Sequence, residues 1–216
     1  MEHSNIAREL SFPSLRSKGP YKDLLDVLDL MIVVTHAVDN YHQGHHPMPA
    51  LLDIIRARNA VQHRLLSLIS PSFATPVELA TFTTCRLAAM IYSEMVLFPM
   101  PLIAGVKPRL AYMLRKALGS DVQIPETSSM TQLRLWMVIF GAIAAKGTEN
   151  RLWYIERLSS LMTVIDSKEY SDFVRTMKRY LWWDYACQEP ALAAWSEALA
   201  IEENNEERVV LPAYIK

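Results

Sequence analysis

The densest group of side chains able to do chemistry is the segment His36-Ala-Val-Asp39-Asn-Tyr-His42-Gln-Gly-His45-His46. On a helix, positions three apart share a face, so His36, Asp39 and His42 stand in one column. Imidazole and carboxylate in that arrangement can act as an acid/base pair, and zinc accepts both. The same residues suit a plainer role. Histidine is favoured at the negative end of a helix dipole, and a polar helix end followed by a turn needs no ligand. No specific metal-binding spacing is present, and no metal is assigned. His36 falls in phase with Leu25, Leu28 and Ile32 and is expected to face the interior. His45 and His46 lie beyond Gly44 in a proline-bounded turn and are expected to face solvent.

The fourth candidate is Arg86, within Cys85-Arg-Leu-Ala-Ala-Met-Ile-Tyr92. A guanidinium among apolar residues snorkels, pairs with a carboxylate such as Glu94, or anchors a ligand carboxylate bidentately. The five tryptophans are Trp136, Trp153, Trp182, Trp183 and Trp195. Core positions in the later helices are expected for them, with a pocket for a small apolar ligand as the alternative. Cys85 and Cys187 are the two cysteines and read as buried free thiols. The chain has no glycine-rich phosphate loop, no nucleophile elbow and no paired C-x-x-C, so no cofactor is assigned.

These residues need helices to position them. Of 216 residues, 51% are apolar and 21% charged, a globular composition. Apolar spacing predicts helices over 21–42, 50–69, 75–98, 107–118, 129–146, 149–165, 167–183 and 190–203. Thr75-Pro76-Val-Glu78 reads as a capped start, Gly44 as a stop, and Ser129 and Ser167 as caps. The expected fold is all-α, a single-domain array of about eight antiparallel helices. Residues 1–20 are expected as a flexible arm with at most one helical turn, 21–203 as the helical domain and 204–216 as an acidic then apolar tail.

Net charge is −1, which lacks the basic excess of a nucleic-acid-binding domain. The longest apolar run, 87–106, is interrupted by Ser93, Glu94, Pro99 and Pro101, so no membrane span is expected. The opening residues do not form a signal peptide. A nuclear or cytoplasmic protein, not secreted, is the expectation.

The order of features carries a resemblance. Tyr21-Lys-Asp-Leu-Leu-Asp opens a helix, and Cys85 to Tyr92 follows with Pro99 and Pro101 behind it. Leu135-Trp136-Met-Val-Ile-Phe140-Gly141 runs on to Lys146-Gly147 and Asn150-Arg151-Leu-Trp153, and Tyr180-Leu-Trp182-Trp183-Asp184 comes before Trp195. Over roughly 21–200 this resembles the helical regulatory domain of fungal binuclear-zinc-cluster transcription factors. The resemblance implies a regulatory or interaction module acting through protein partners or a small effector, with a homodimer also compatible. It implies no catalytic residue. The family's N-terminal cysteine cluster is absent, so no direct DNA binding is expected. The alternative is a small-molecule enzyme or binding protein of fungal secondary metabolism that reuses the fold. Such an enzyme would be a cofactor-independent acid/base or cyclisation catalyst using His36, Asp39, His42 and Arg86.

Overall fold

The computed structural model describes residues 11–16, 19–46, 49–72, 74–98, 105–119, 127–165 and 169–210, with side chains described as far as Glu202. Every regular element among them is helical, so the protein is all-α. A helical turn at Pro13–Arg16 and a 3-10 turn at Gly19–Tyr21 lead into α1, Lys22–Gln43. Then come α2, Leu51–Ser67, and α3, Pro76–Tyr92, which runs on into a π-helical turn at Ser93–Leu97. The rest are α4, Val106–Leu118; α5, Ser128–Ala144; α6, Arg151–Ile165; α7, Tyr170–Met177; and α8, Asp184–Val210.

Local chemistry sets several boundaries. At α3 the Thr75 hydroxyl accepts from the Glu78 amide while the Glu78 carboxylate accepts from the Thr75 amide, a capping box with Pro76 at the first helical position. Gly44 ends α1 at φ 68°, where its amide and that of His45 recover carbonyls of the last turn. At α5 the cap is Thr127, whose hydroxyl accepts from the Met130 amide, and not Ser129. Ser167 lies outside the described residues.

α5 is the hub. It packs against α3, α4, α6, α7 and α8, and its residues from Leu135 to Ala142 are buried without a break. Trp136 is fully buried, with its ring edge-on to Phe12 and stacked on Tyr180. Its indole Nε1 donates to the Leu181 carbonyl at 3.0 Å. α6 approaches α5 over Gly141, where a Cβ would sit 2.1 Å from the Tyr154 ring. No side chain fits there, which lets the buried Tyr154 hydroxyl reach the Ala111 carbonyl on α4 at 2.7 Å. The two free thiols are buried as expected. Burial pushes the Cys187 thiol up to about 12 and Cys85 higher still.

Several expectations need correction. Residues 11–16 are not a loose arm: Phe12 and Leu15 are fully buried, and Arg16 pairs with Asp29 on α1 at 2.6 Å. Phe12 adopts φ 51°, unusual outside glycine. Its amide donates to the Arg179 carbonyl at 3.3 Å. The helix expected over 167–183 stops at Met177, and α8 begins at Asp184 with Pro190 inside it. The acidic run from Glu202 to Glu207 therefore continues a helix and does not follow one. Residues 211–216 of the expected tail lie outside the described residues. Among the tryptophans, Trp136 and Trp195 are buried, but Trp153, Trp182 and Trp183 are only partly so, and the last two sit between helices.

Candidate functional site

A cleft of about 1120 Å³ lies between the last turns of α1 and the segment from Lys178 to Leu192. One wall carries His36, Asp39 and His42, which α1 places in a column as the i, i+3 spacing requires. The facing wall is Trp182, Trp183 and Tyr185. Ile32, Thr35 and Leu181, all buried, form part of its lining. The volume is of the size that takes a small organic molecule.

Hydrogen bonds hold the two walls together. Trp183 Nε1 donates to Asp39 Oδ1 at 2.8 Å, joining residues 144 apart in sequence. Gln43 Nε2 donates to the same oxygen at 2.8 Å. The His42 ring lies 4.2 Å from the Tyr185 ring and edge-on to Trp183 at 5.7 Å. Asp184, also on the lining, accepts from Trp182 Nε1 at 2.7 Å and pairs with Lys178 at 2.8 Å. Where burial along α1 ends, Thr35 and Tyr92 share a buried hydroxyl bond of 2.9 Å. Burial raises the Tyr92 phenol well above its usual range, so it stays a neutral hydrogen-bonding group.

The sequence places His36 towards the bundle interior, and the structure does not: His36 is exposed, on the cleft side of α1. Burial along α1 ends at Thr35, because the helix runs on past the edge of the core and its last turns overhang. His45 and His46 are exposed, as their position beyond Gly44 requires. Among the described residues, Asp39 accepts from an indole and an amide, and neither His36 nor His42 is bonded to it. The arrangement is thus a recognition surface of aromatic faces and hydrogen-bonding groups, without the paired imidazole and carboxylate of an acid/base device.

Arg86 is elsewhere. Its Nε and Nη2 donate to the carbonyls of Leu65 and Leu66 at 3.0 and 2.8 Å, satisfying the last turn of α2. Of the roles open to it in the sequence, the structure shows a structural one, on backbone carbonyls. It borders a separate cavity of about 440 Å³ together with Phe82, Met90 and Arg109. Trp183 and Tyr185 are the cleft residues that sequence reasoning missed as partners of Asp39 and His42. Only their aromatic character offered a signal, since the pairing is long-range.

Among the described residues, no group of three or more His, Cys, Asp and Glu side chains could hold a metal ion. No described helix is long and apolar enough to cross a membrane. No family model, curated protein or solved structure matches the chain.

Proposed function

We propose that this chain is a regulatory module of the kind found in fungal binuclear-zinc-cluster transcription factors, and that the α1 cleft is its effector site. The observation that carries the reading is that Trp182, Trp183 and Tyr185 line one cleft of about 1120 Å³ together with His36, Asp39 and His42. Aromatic faces bind a flat apolar molecule, and a few convergent polar groups orient it. The Trp183–Asp39 bond is the contact that an arriving ligand must displace or share, so occupancy is coupled to the position of the wall. Cys85 and Cys187 are buried free thiols, and the contacts proposed for the module are with protein partners in transcriptional control. The enzyme reading ranks lower. It needs Asp39 free for an imidazole and Arg86 near the histidines, whereas Asp39 is bonded to Trp183 and Gln43 and Arg86 caps α2.

The test is a screen of small aromatic compounds against isotopically labelled protein, read at the tryptophan indole N–H signals. Binders are expected to move the Trp183 signal and to be lost in Trp183→Ala. In parallel, the chain fused to a heterologous DNA-binding domain should drive a reporter whose output changes in Trp183→Ala and His42→Ala. A screen with no hit at Trp183, or a reporter indifferent to both variants, would refute the reading.

A further inference from the structure

A second site lies on the far side of α3. Where α2 meets the end of α3 and the start of α4 there is a cavity of about 320 Å³. Leu65, Met90 and Leu110 give it apolar walls. Three polar side chains also line it: Gln62, Ser93 and Glu94. Gln62 Oε1, Ser93 Oγ and Glu94 Oε2 are each shielded from solvent and have no hydrogen-bond partner among the described residues. Ser93 is 3% exposed and Glu94 9%. An orphaned buried acceptor is destabilising, and an orphaned carboxylate more so, so three facing one space is unusual in a native fold.

The backbone is unusual at the same place. Ser93–Leu97 is a π-helical turn, closed by the Phe98 amide on the Ser93 carbonyl at 2.7 Å. Such turns occur frequently at functional sites. The nearest influence on Glu94 from a cation is Lys107 on α4, which favours the ionised carboxylate but does not bond Oε2. Arg86 borders the adjoining cavity, but its guanidinium is committed to the carbonyls of α2.

Two of the three orphaned atoms can only accept, and one of them belongs to a carboxylate. The missing partner is therefore a donor with several hydrogens and a positive charge. The apolar walls ask for a hydrocarbon body. We propose that this cavity binds a small apolar amine, its ammonium held by the Glu94 carboxylate and the Gln62 side-chain carbonyl and its body against Leu65, Met90 and Leu110. A carboxylic acid of the same size meets Glu94 with like charge. An alcohol brings one donor for two acceptors and binds more weakly.

The probe is hexan-1-amine, compared with hexan-1-ol and hexanoate, titrated into protein labelled at its methionine methyl groups. The Met90 signal, assigned through Met90→Leu, reports this cavity and the adjoining one of about 440 Å³ by NMR, and Glu94→Gln, which touches only this one, tells them apart. The amine is expected to shift Met90 saturably, the alcohol more weakly, and hexanoate not at all. Glu94→Gln keeps the shape and removes the charge, and should weaken the amine by about ten-fold. Trp183→Ala, in the other cleft, should leave amine binding intact, so the two sites stand or fall separately. The proposal is overturned if the amine gives no saturable Met90 shift, if hexanoate binds as well, or if Glu94→Gln binds the amine unchanged. Should Glu94→Gln lose the helical fold by circular dichroism, Gln62→Leu decides in its place, and undiminished amine affinity in that variant overturns the proposal as well.

Discussion

α5 and the segment joining α7 to α8 touch each other through Trp136 and Leu181, yet they are held in opposite ways. α5 is gripped by apolar side chains around its circumference, and at Gly141 the approach of α6 leaves no space for a methyl group. The joining segment has no helix of its own. Beyond its two buried side chains, Tyr180 and Leu181, it is pinned at single points: Phe12 amide to Arg179 carbonyl, Trp136 indole to Leu181 carbonyl, Trp183 indole to Asp39. Packing spreads its energy over many contacts, so losing one large side chain is expensive and moves many neighbours. A pinned segment loses one bond at modest cost and re-aims a few side chains. Stability therefore resides in α5, and the adjustable part of the cleft in the joining segment.

The comparison breaks first at Trp136. Trp136→Ala should cost about 3–5 kcal/mol in urea unfolding, or leave the protein unfolded. A loss below about 1 kcal/mol, the worth of a single neutral hydrogen bond, would mean that α5 is no more than another pinned element. Gly141→Ala comes next, at about 1–3 kcal/mol from overpacking against Tyr154. Tyr154→Leu in the same chain should recover part of that loss, and strict additivity of the two costs would show that the close approach is not the cause.

Trp183→Ala sharpens the other side. It removes one indole bond to Asp39 and a partly buried ring, so a cost of about 0.5–1.5 kcal/mol is expected for the bond, with the helical circular dichroism signal unchanged. A cost as large as that of Trp136→Ala would place the joining segment in the core proper. The smallest effect concerns Glu94, whose carboxyl burial raises above the usual range. Its folded pKa is above its unfolded one, so the native state holds the proton more tightly. Its contribution is complete below the unfolded value and is lost as pH rises through the raised one. The melting temperature of Glu94→Gln should therefore gain on the parent as pH increases from the acid range to neutrality. A difference that stays flat, or runs the other way, would show that Glu94 is solvated.

Where local chemistry decides, the sequence was a sound guide. Thr75, Pro76 and Glu78 close a capping box among themselves, and Gly44 stops α1 because it alone tolerates φ 68° without cost. Helix phase was informative about faces but silent about where the core ends. His36 stands in line with Leu28 and Ile32, yet it overhangs the cleft because full burial along α1 ends at Thr35. The break after Met177 was hidden for a different reason. Trp182 and Trp183 look like helix-core residues, but they lie between helices, bonded to Asp184 and to the distant Asp39. The orphaned atoms of Gln62, Ser93 and Glu94 are a property of three elements meeting, which no single stretch of sequence records.

The backbone at Phe12 has a mechanical consequence. Its ring is wedged edge-on between Trp136 and Tyr180, and its amide grips the carbonyl of Arg179, next to the residues that form the aromatic wall. Holding a phenylalanine at φ 51° stores strain of roughly 1–2 kcal/mol that the buried ring must outweigh. The entering chain and the segment bearing the aromatic wall are thus tethered to one residue, while Arg16 ties the same entering chain to α1 through Asp29.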